Sequence, residues 1–254
     1  MAKKISGSVI SADAFQVYTD FSIGTGALTP AEMDGVPHYL IHSQCPTIPY
    51  SVHTFLENVR NILHDNPQVP FIICGGSALY IRSLLYGYTP LKRLPVSERP
   101  VGDPASLWHR LNTIDPLLAA KTPYQNVGRV QRYLELHTIY NCPPSQLFTA
   151  TPQDTDRFHV IGRFLSSATL KQRINDRVNA MIANGFIDEV RYLMEKYSLM
   201  SPAFSAIGYR DIIHYLQGSL SRETAIDAIK RRSYAYAKRQ MTWFKAFDNV
   251  EWHS

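Results

Sequence analysis

Three short apolar runs alternate with amphipathic segments along the chain. The runs cover 8–11 (SVIS), 70–76 (PFIICGG) and 157–162 (RFHVIG). Residues 51–65 carry apolar side chains at helical spacing, and residues 77–87 do the same up to their final glycine. The second run is short and apolar and ends in two glycines, which is typical of a buried strand in a parallel sheet. This alternation predicts an α/β core.

The second half of the chain predicts mainly helices. Apolar positions between 170 and 182 form one helical stripe, Gly185 interrupts it, and 186–197 continue as a second helix. A last helix is predicted over 221–247.

A smaller region is predicted inside this core. Residues 88–104 are rich in proline and charge, and we interpret them as the exit from the core into a helical segment. We therefore predict a core formed by 1–92 and 150–254, with an inserted helical region over 93–149.

The first residues resemble the end of a helix without its beginning. Lys3 and Lys4 are cations of the kind that a helix C-terminus favours, and Gly7 is predicted to form a left-handed cap before the first strand.

Composition limits the class of protein. A chain of 254 residues that is 45% hydrophobic can bury a sizeable core, and a net charge of +5 permits a polyanionic partner. The three cysteines lie far apart, which predicts neither a disulfide framework nor a zinc site. No apolar run reaches transmembrane length and no signal peptide precedes the first strand. We expect a reduced, cytoplasmic protein that is monomeric and makes no membrane contact.

Asp13 is the first candidate for chemistry. A carboxylate just past an inner strand lies at the edge where α/β folds bind ligands, and it could act as a general base. The alternative is a loop or capping aspartate.

The turn Gly75-Gly76-Ser77 is a second candidate. It could bring its backbone close to a ligand, or it could be an ordinary strand–helix turn.

Two sets of basic residues are further candidates. Arg173 and Arg177 share a helical face and could grip a pyrophosphate, or pair with Asp176 or Asp188. From Ile229 to Phe247 the sequence has six Lys or Arg and no Asp or Glu, with aromatic residues between them. Such a helix suits phosphate contacts and stacking with RNA, although its aromatic residues could equally be part of the core.

A phosphate-binding P-loop is absent from the sequence. No glycine is followed by lysine, so the pattern G-x-x-x-x-G-K-[ST] does not occur.

Six segments in consistent order resemble the motifs of the tRNA dimethylallyltransferase family, also called tRNA isopentenyltransferases. The longest is ISADAFQVYTDFSIGTGALTPAEMDGVPHYLI around Asp13. The others are GGSALYIRSLLYG, LKQRINDRV, GFIDEVRYL, AIGYRDIIHYLQG and YAKRQMTWFK. The resemblance covers nearly the whole chain. GRVQRYLEL departs from the family's pattern, and the region 98–128 is shorter than usual.

The resemblance implies a fold and an activity. The fold is a P-loop NTPase-like parallel sheet flanked by helices, with a small helical insertion. The activity is transfer of a dimethylallyl group from dimethylallyl diphosphate, with Mg²⁺, to the N6 amine of the adenosine adjacent to the tRNA anticodon. The adenosine must leave the base stack to present that amine.

The resemblance also implies roles for individual residues. Asp13 matches the general base, and Arg173 and Arg177 are candidates for binding the diphosphate. Together with the basic helix, the motifs predict tRNA contacts from Asp13, Ala14, Phe15, Gln16, Ser77, Arg99, Gly128, Arg129, Val130, Gln131, Arg132, Gly208, Tyr209, Arg210, Arg232 and Arg239.

In the family, a strand, a P-loop and a helix precede the segment that matches residues 8–11. We therefore expect the 254-residue chain to lack that unit, to leave the strand at 8–11 or a neighbour with an unpaired edge, to bind tRNA weakly and to transfer no dimethylallyl group. A misplaced start codon, a truncated chain and a decayed gene stay open as reasons. The alternative functions are prenylation of free adenine nucleotides and a non-catalytic RNA-binding remnant.

Overall fold

The computed structural model describes residues 1–87, 91–148 and 158–253. These residues form two compact units, one of 1–85 with 158–253 and one of 86–87 with 91–148. The predicted domain boundary at 149/150 and the predicted start of a strand at Arg157 lie outside the described residues.

Five strands form two parallel sheets in the first unit. In the larger sheet the order is β2-β1-β3, and in the smaller one β4 pairs with β5. All three pairings are parallel, which confirms the α/β prediction. The strands are β1 (Ser8–Ser11), β2 (His38–Tyr39), β3 (Phe71–Cys74), β4 (Val160–Arg163) and β5 (Val250–His253).

Helices surround these strands and make up the second unit. Serines precede three long helices, where each hydroxyl accepts a hydrogen bond from the backbone N–H three residues on, at Ser51, Ser166 and Ser221. The helices are α1 (Pro30–Met33), α2 (Val52–Asp65), α3 (Ala78–Tyr86), α4 (Pro104–Ile114), α5 (Pro116–Ala120), α6 (Val127–Tyr140), α7 (Ser167–Ala183), α8 (Phe186–Lys196), α9 (Tyr209–Leu216) and α10 (Arg222–Phe244). In the part of the chain that the structure describes, none of them has the length and apolarity needed to span a bilayer.

The predicted cap at Gly7 is wrong. Residues Ala2–Ile5 form a single 3-10 turn, and Ser6 takes the left-handed conformation with φ 50°. Gly7 is needed for a different reason, since an added Cβ would lie 2.5 Å from the carbonyl oxygen of Pro70. The glycine thus lets β1 enter the sheet beside the start of β3.

β1 lies in the middle of its sheet, so the first alternative of the prediction, an unpaired edge at residues 8–11, is wrong, and the edge positions belong to its neighbours β2 and β3 among the described residues. Ser8 pairs with Phe71 on one side, and Val9 with His38 on the other. Among the described residues, β3 pairs with β1 alone, and it borders a mainly apolar cavity of about 1120 Å³.

The core of the first unit is aromatic. Phe21 is fully buried, and its ring centroid lies 5.2 Å from that of Phe204 and 4.9 Å from that of Tyr209. Phe186, from the start of α8, meets Tyr209 edge-on at 5.0 Å. These contacts join the loop after β1 to α8 and α9, and they hold that loop beside the end of β1.

The second unit has its own small core. Leu107 and Leu111 of α4 pack with Val130 and Leu134 of α6, and all four side chains are buried. The indole N–H of Trp108 donates to the carbonyl of Thr122 at 2.8 Å, which ties α4 to the turn before α6.

Candidate active site

Asp13 lies two residues after β1 and begins a tight turn. Its Oδ1 accepts hydrogen bonds from the backbone N–H groups of Phe15 at 2.8 Å and Gln16 at 3.2 Å. The carboxylate therefore does cap its own turn, as the structural alternative proposed. This turn also fixes its direction, and Asp13 lines a cavity of about 1020 Å³.

Ser77 is brought next to this turn by the close approach of β1 and β3. The backbone N–H of Ala14 donates to Ser77 Oγ at 3.1 Å, and the N–H of Ser77 donates to the carbonyl of Ala12 at 3.1 Å. An added Cβ on Gly75 would overlap the backbone of Ala12. The lack of a side chain at Gly75 thus allows a close contact between its backbone and that of Ala12. This contact brings the turn that contains Asp13 together with the turn Gly75-Gly76-Ser77.

Helix α10 anchors the glycine turn from the other side. The hydroxyl of Tyr236 donates to the carbonyl of Gly76 at 3.1 Å, and the Gln240 amide donates to the same oxygen at 2.8 Å. Burial, and secondly the charge of Asp13, raise the pKa of Tyr236, so the phenol stays a donor. Sequence reasoning counted Tyr236 among the aromatic residues of the last helix that could stack with RNA or belong to the core. It assigned no role to Gln240, although this residue lies in the quoted motif YAKRQMTWFK.

Arg177 reaches the cavity through the loop 22–26. Its Nη2 donates to the carbonyl of Thr25 at 3.3 Å, and an added Cβ on Gly26 would overlap the guanidinium group. The side-chain amide of Gln16 donates to the carbonyl of Gly26 at 3.1 Å. The loop therefore connects Arg177 to the turn of Asp13.

Arg173 is exposed and does not line this cavity. The expected alternative partners of the two arginines are engaged elsewhere: Asp176 accepts from Gln172, and Asp188 pairs with Arg191. The structure thus separates the predicted pair, with Arg177 at the cavity.

The cavity combines polar groups with an apolar wall. Asp13 and Arg177 are two of its charged groups, and a base and a cation in one cavity suit removal of a proton together with neutralisation of an anionic leaving group. The remaining polar lining includes Gln16, Tyr236, Arg239 and Gln240. The apolar lining includes Leu28, Met33, Ile41, Ile72, Leu170 and Ile174.

The cations of α10 differ in how they are held. Arg232 pairs with Asp211 at 3.2 Å, and burial raises the pKa of this aspartate although Arg232 opposes the rise. Arg239 lies over the ring of Tyr236, with 5.9 Å between the guanidinium carbon and the ring centroid. Both arginines are available for phosphate contacts, but Arg232 would give up part of an existing ion pair.

The run Gly208-Tyr209-Arg210 divides between the core and the surface. Tyr209 is fully buried and donates its hydroxyl to Glu189 at 2.7 Å, so its side chain is a core group rather than the expected tRNA contact. Arg210 is exposed. Gly208 has φ 100°, which starts α9 with a bend that other residues rarely adopt.

The predicted tRNA contacts in the second unit have local structural partners. Arg132 donates to the carbonyls of Leu91 at 2.9 Å and Lys92 at 2.7 Å. Two further residues of the prediction bind the same segment, with Gln131 donating to Pro100 and Arg99 donating to Leu94.

Within α6 the rest of the predicted run splits by exposure. Val130 is fully buried, so its side chain is a core group rather than the expected tRNA contact. Gly128 and Arg129 are exposed. These two positions are accessible to a partner, and Gln131 and Arg132 are partly accessible.

Comparison with known proteins identifies the family. The IPP transferase family matches residues 16–247. The tRNA dimethylallyltransferase of Carboxydothermus hydrogenoformans is 35% identical over 99% of this chain and 85% of its own length. That of Oceanobacillus iheyensis is 36% identical over 100% of this chain and 84% of its own length.

Solved structures agree with the sequence comparison. A tRNA delta(2)-isopentenylpyrophosphate transferase of Staphylococcus epidermidis superposes with a TM-score of 0.70 at 34% identity, covering 99% of this chain and 86% of its own. A eukaryotic dimethylallyltransferase acting on tRNA gives 0.77 at 28% identity, covering 96% and 64%. The parallel sheets and their helices define an α/β protein. The family match and the relatives make it a transferase, and the chain belongs to the IPP transferase family.

Proposed function

We propose that this protein transfers a dimethylallyl group from dimethylallyl diphosphate to the N6 amine of the adenosine adjacent to the anticodon of tRNA. The observation that carries the proposal is that Asp13 and Arg177 line one cavity of the first unit. Membership of the IPP transferase family and relatives named tRNA dimethylallyltransferase support the substrate class.

The reaction forms one bond and breaks another. The N6 nitrogen attacks the first carbon of the dimethylallyl group while the bond from that carbon to the diphosphate oxygen breaks. The N6 proton passes to Asp13, whose orientation is held by the N–H groups of Phe15 and Gln16. Diphosphate leaves with the bonding electron pair, and Arg177 offsets part of its charge.

The surrounding residues supply orientation and a dry pocket. Ser77 and Gln16 flank Asp13, and we assign them to the target nucleotide. The apolar wall, which includes Leu28 and Ile174, accepts the alkyl group and keeps water from the allylic carbon. Exposed cations of α10, including Arg239, contact tRNA phosphates.

Mg²⁺ is part of this proposal as a companion of the diphosphate. In the described ranges no group of three or more His, Cys, Asp or Glu side chains could hold a metal ion. The residues present therefore do not fit a protein-held Mg²⁺ site, and no step above is assigned to the ion. Mg²⁺ commonly binds through substrate phosphates and water.

The test measures transfer of a labelled dimethylallyl group to its acceptor. Protein is incubated with Mg²⁺, labelled dimethylallyl diphosphate and either unmodified tRNA or adenosine monophosphate. The 254-residue chain is assayed alone and also behind the N-terminal segment of a relative, because the match covers 85% and 84% of the length of the two named relatives.

Label on the adenosine adjacent to the anticodon, in either form, is the expected result. Label on adenosine monophosphate alone would favour the nucleotide prenyltransferase. Binding of tRNA without transfer in both forms would favour the RNA-binding remnant and overturn the proposal.

A further inference from the structure

Glu189 of α8 has four hydrogen-bond donors directed at its carboxylate. Oε2 accepts from the backbone N–H groups of Ser22 at 3.0 Å and Ile23 at 2.6 Å. Oε1 accepts from the N–H of Gly24 at 3.1 Å and from the hydroxyl of Tyr209 at 2.7 Å. Three successive N–H groups around one carboxylate form an anion-binding nest whose anion is part of the protein.

The loop held in this way continues directly into the cavity. The next two residues contact the candidate catalytic groups: the carbonyl of Thr25 accepts from Arg177, and that of Gly26 accepts from Gln16. Gln16 in turn donates its backbone N–H to Asp13. A path of hydrogen bonds and loop backbone therefore runs from Glu189 to Arg177 and Asp13.

We propose that Glu189 is a positioning residue, which holds the backbone of 22–24 so that Thr25 and Gly26 orient Arg177 and Gln16 in the cavity. The catalytic part of this inference rests on the proposed function. Glu189 touches no substrate in this account, and it acts through the loop.

The packing around residues 22–24 restricts the loop to one backbone conformation when the Glu189 carboxylate is bound. An added Cβ on Gly24 would overlap the rings of Phe186 and Tyr209, so the loop backbone lies directly on the core. Burial, followed by the charge of Glu189 and its hydrogen bond, raises the pKa of Tyr209 well above the usual range. The phenol therefore stays protonated as the fourth donor.

Glu189→Gln is the informative variant, because it keeps shape and removes charge. Either orientation of the amide turns an NH₂ group toward donors, so part of the nest must open. Glu195→Gln is the matched control, since it makes the same change at an exposed position of the same helix. We expect Glu189→Gln to speed hydrogen exchange at the amides of Ser22, Ile23 and Gly24 by about tenfold or more, and Glu195→Gln to leave it unchanged.

The functional arm asks whether the loss is transmitted through Arg177. In the form that transfers the dimethylallyl group, Glu189→Gln should lower kcat by about 10- to 100-fold while the Kd for tRNA stays within about threefold. Combined with Arg177→Ala, it should add less than about threefold to the loss from Arg177→Ala alone. A general structural role would instead give losses that multiply.

Each outcome either supports or overturns the positioning role of Glu189. Unchanged exchange at 22–24 in a folded Glu189→Gln protein would overturn the inference, and so would multiplicative losses with Arg177→Ala. If Glu189→Gln does not fold, Tyr209→Phe replaces it, because it removes one donor and keeps the ring. If neither form of the wild-type protein transfers the dimethylallyl group, the proposed function fails. In that case the role of Glu189 is tested without activity, by the exchange rates and by the Arg177 Nε–H resonance. This resonance should shift in Glu189→Gln and not in Glu195→Gln.

Discussion

The turn at 12–16 and the exposed cations of α10 differ in how their polar groups are held. At the turn, backbone N–H groups fix Asp13, and Ser77 is fixed by Ala14 and Ala12. On α10, the cations extend from a helix surface, and Arg239 rests on an aromatic ring. A change at the turn should therefore act on one irreplaceable geometry, whereas a change on α10 should remove one of several similar charges.

The largest expected effect is at Asp13. Asp13→Asn keeps the capping oxygen but removes the base, so turnover should fall by about 100-fold or more while the Kd for tRNA stays within about threefold. Single-turnover transfer and filter binding measure the two quantities. Asp65→Asn, at the exposed end of α2, is the control. Turnover within a few-fold of wild type would remove Asp13 from the role of base.

Gly75 tests whether the turn depends on backbone contact. Gly75→Ala would place a Cβ into the backbone of Ala12, so the free energy of unfolding should fall by about 1–3 kcal/mol and transfer should weaken with it. Urea denaturation measures the stability. Gly128→Ala is the matched control, because nothing lies within 4 Å of the added Cβ and the residue is helical. Equal stability of the two variants would contradict the proposed contact.

The cations of α10 should show graded effects. Arg232→Ala together with Arg239→Ala should flatten the slope of log K for tRNA against log salt by about one unit for each lost phosphate contact. Because Arg232 already pairs with Asp211, we expect its single variant to change the slope less than that of Arg239. The double variant Arg60→Ala and Arg191→Ala is the control, because it removes the same charge from α2 and α8 instead of α10. A slope that the α10 pair leaves unaltered would favour a packing role for that helix.

The smallest expected effect is at Asp20, which ties the loop after β1 to α8. Its carboxylate accepts from Lys196 at 2.8 Å and from Tyr197 at 2.6 Å, and the bond to Lys196 is the main cause that lowers its pKa. A lowered folded-state pKa stabilises above the unfolded value of about 3.9, and the contribution is lost as pH falls through the folded value.

Asp20→Asn should therefore cost about 0.5–1 kcal/mol near neutral pH, since the pair is partly exposed and screened. The difference from wild type should shrink below about pH 4, where the wild-type protein loses the ionic interaction that the variant lacks at every pH. Asn also tolerates the left-handed backbone of Asp20, whose φ is 67°, so backbone strain does not enter the comparison. Urea titrations at several pH values measure the difference. A constant difference down to low pH would exclude the ionic contribution.

Local pattern predicted many of the elements and the catalytic candidate, but it did not predict β2 or β5. The strand at Ser8–Ser11 and the helix at Val52–Asp65 follow from apolar spacing and a serine cap, both of which depend on near neighbours in the chain. Asp13 follows from its place after an inner strand. The motifs around it also indicated the family that the comparisons identify.

Contacts between distant segments decided the rest. The sequence could not tell that Arg177 reaches the cavity while Arg173 stays outside, because both lie on one helix face and only the loop 22–26 distinguishes them. It also gave no role to Glu189, whose partners at 22–24 lie more than 160 residues away. Side chains separated by that distance meet only when the core has packed, since tertiary contacts leave no periodic trace in the chain.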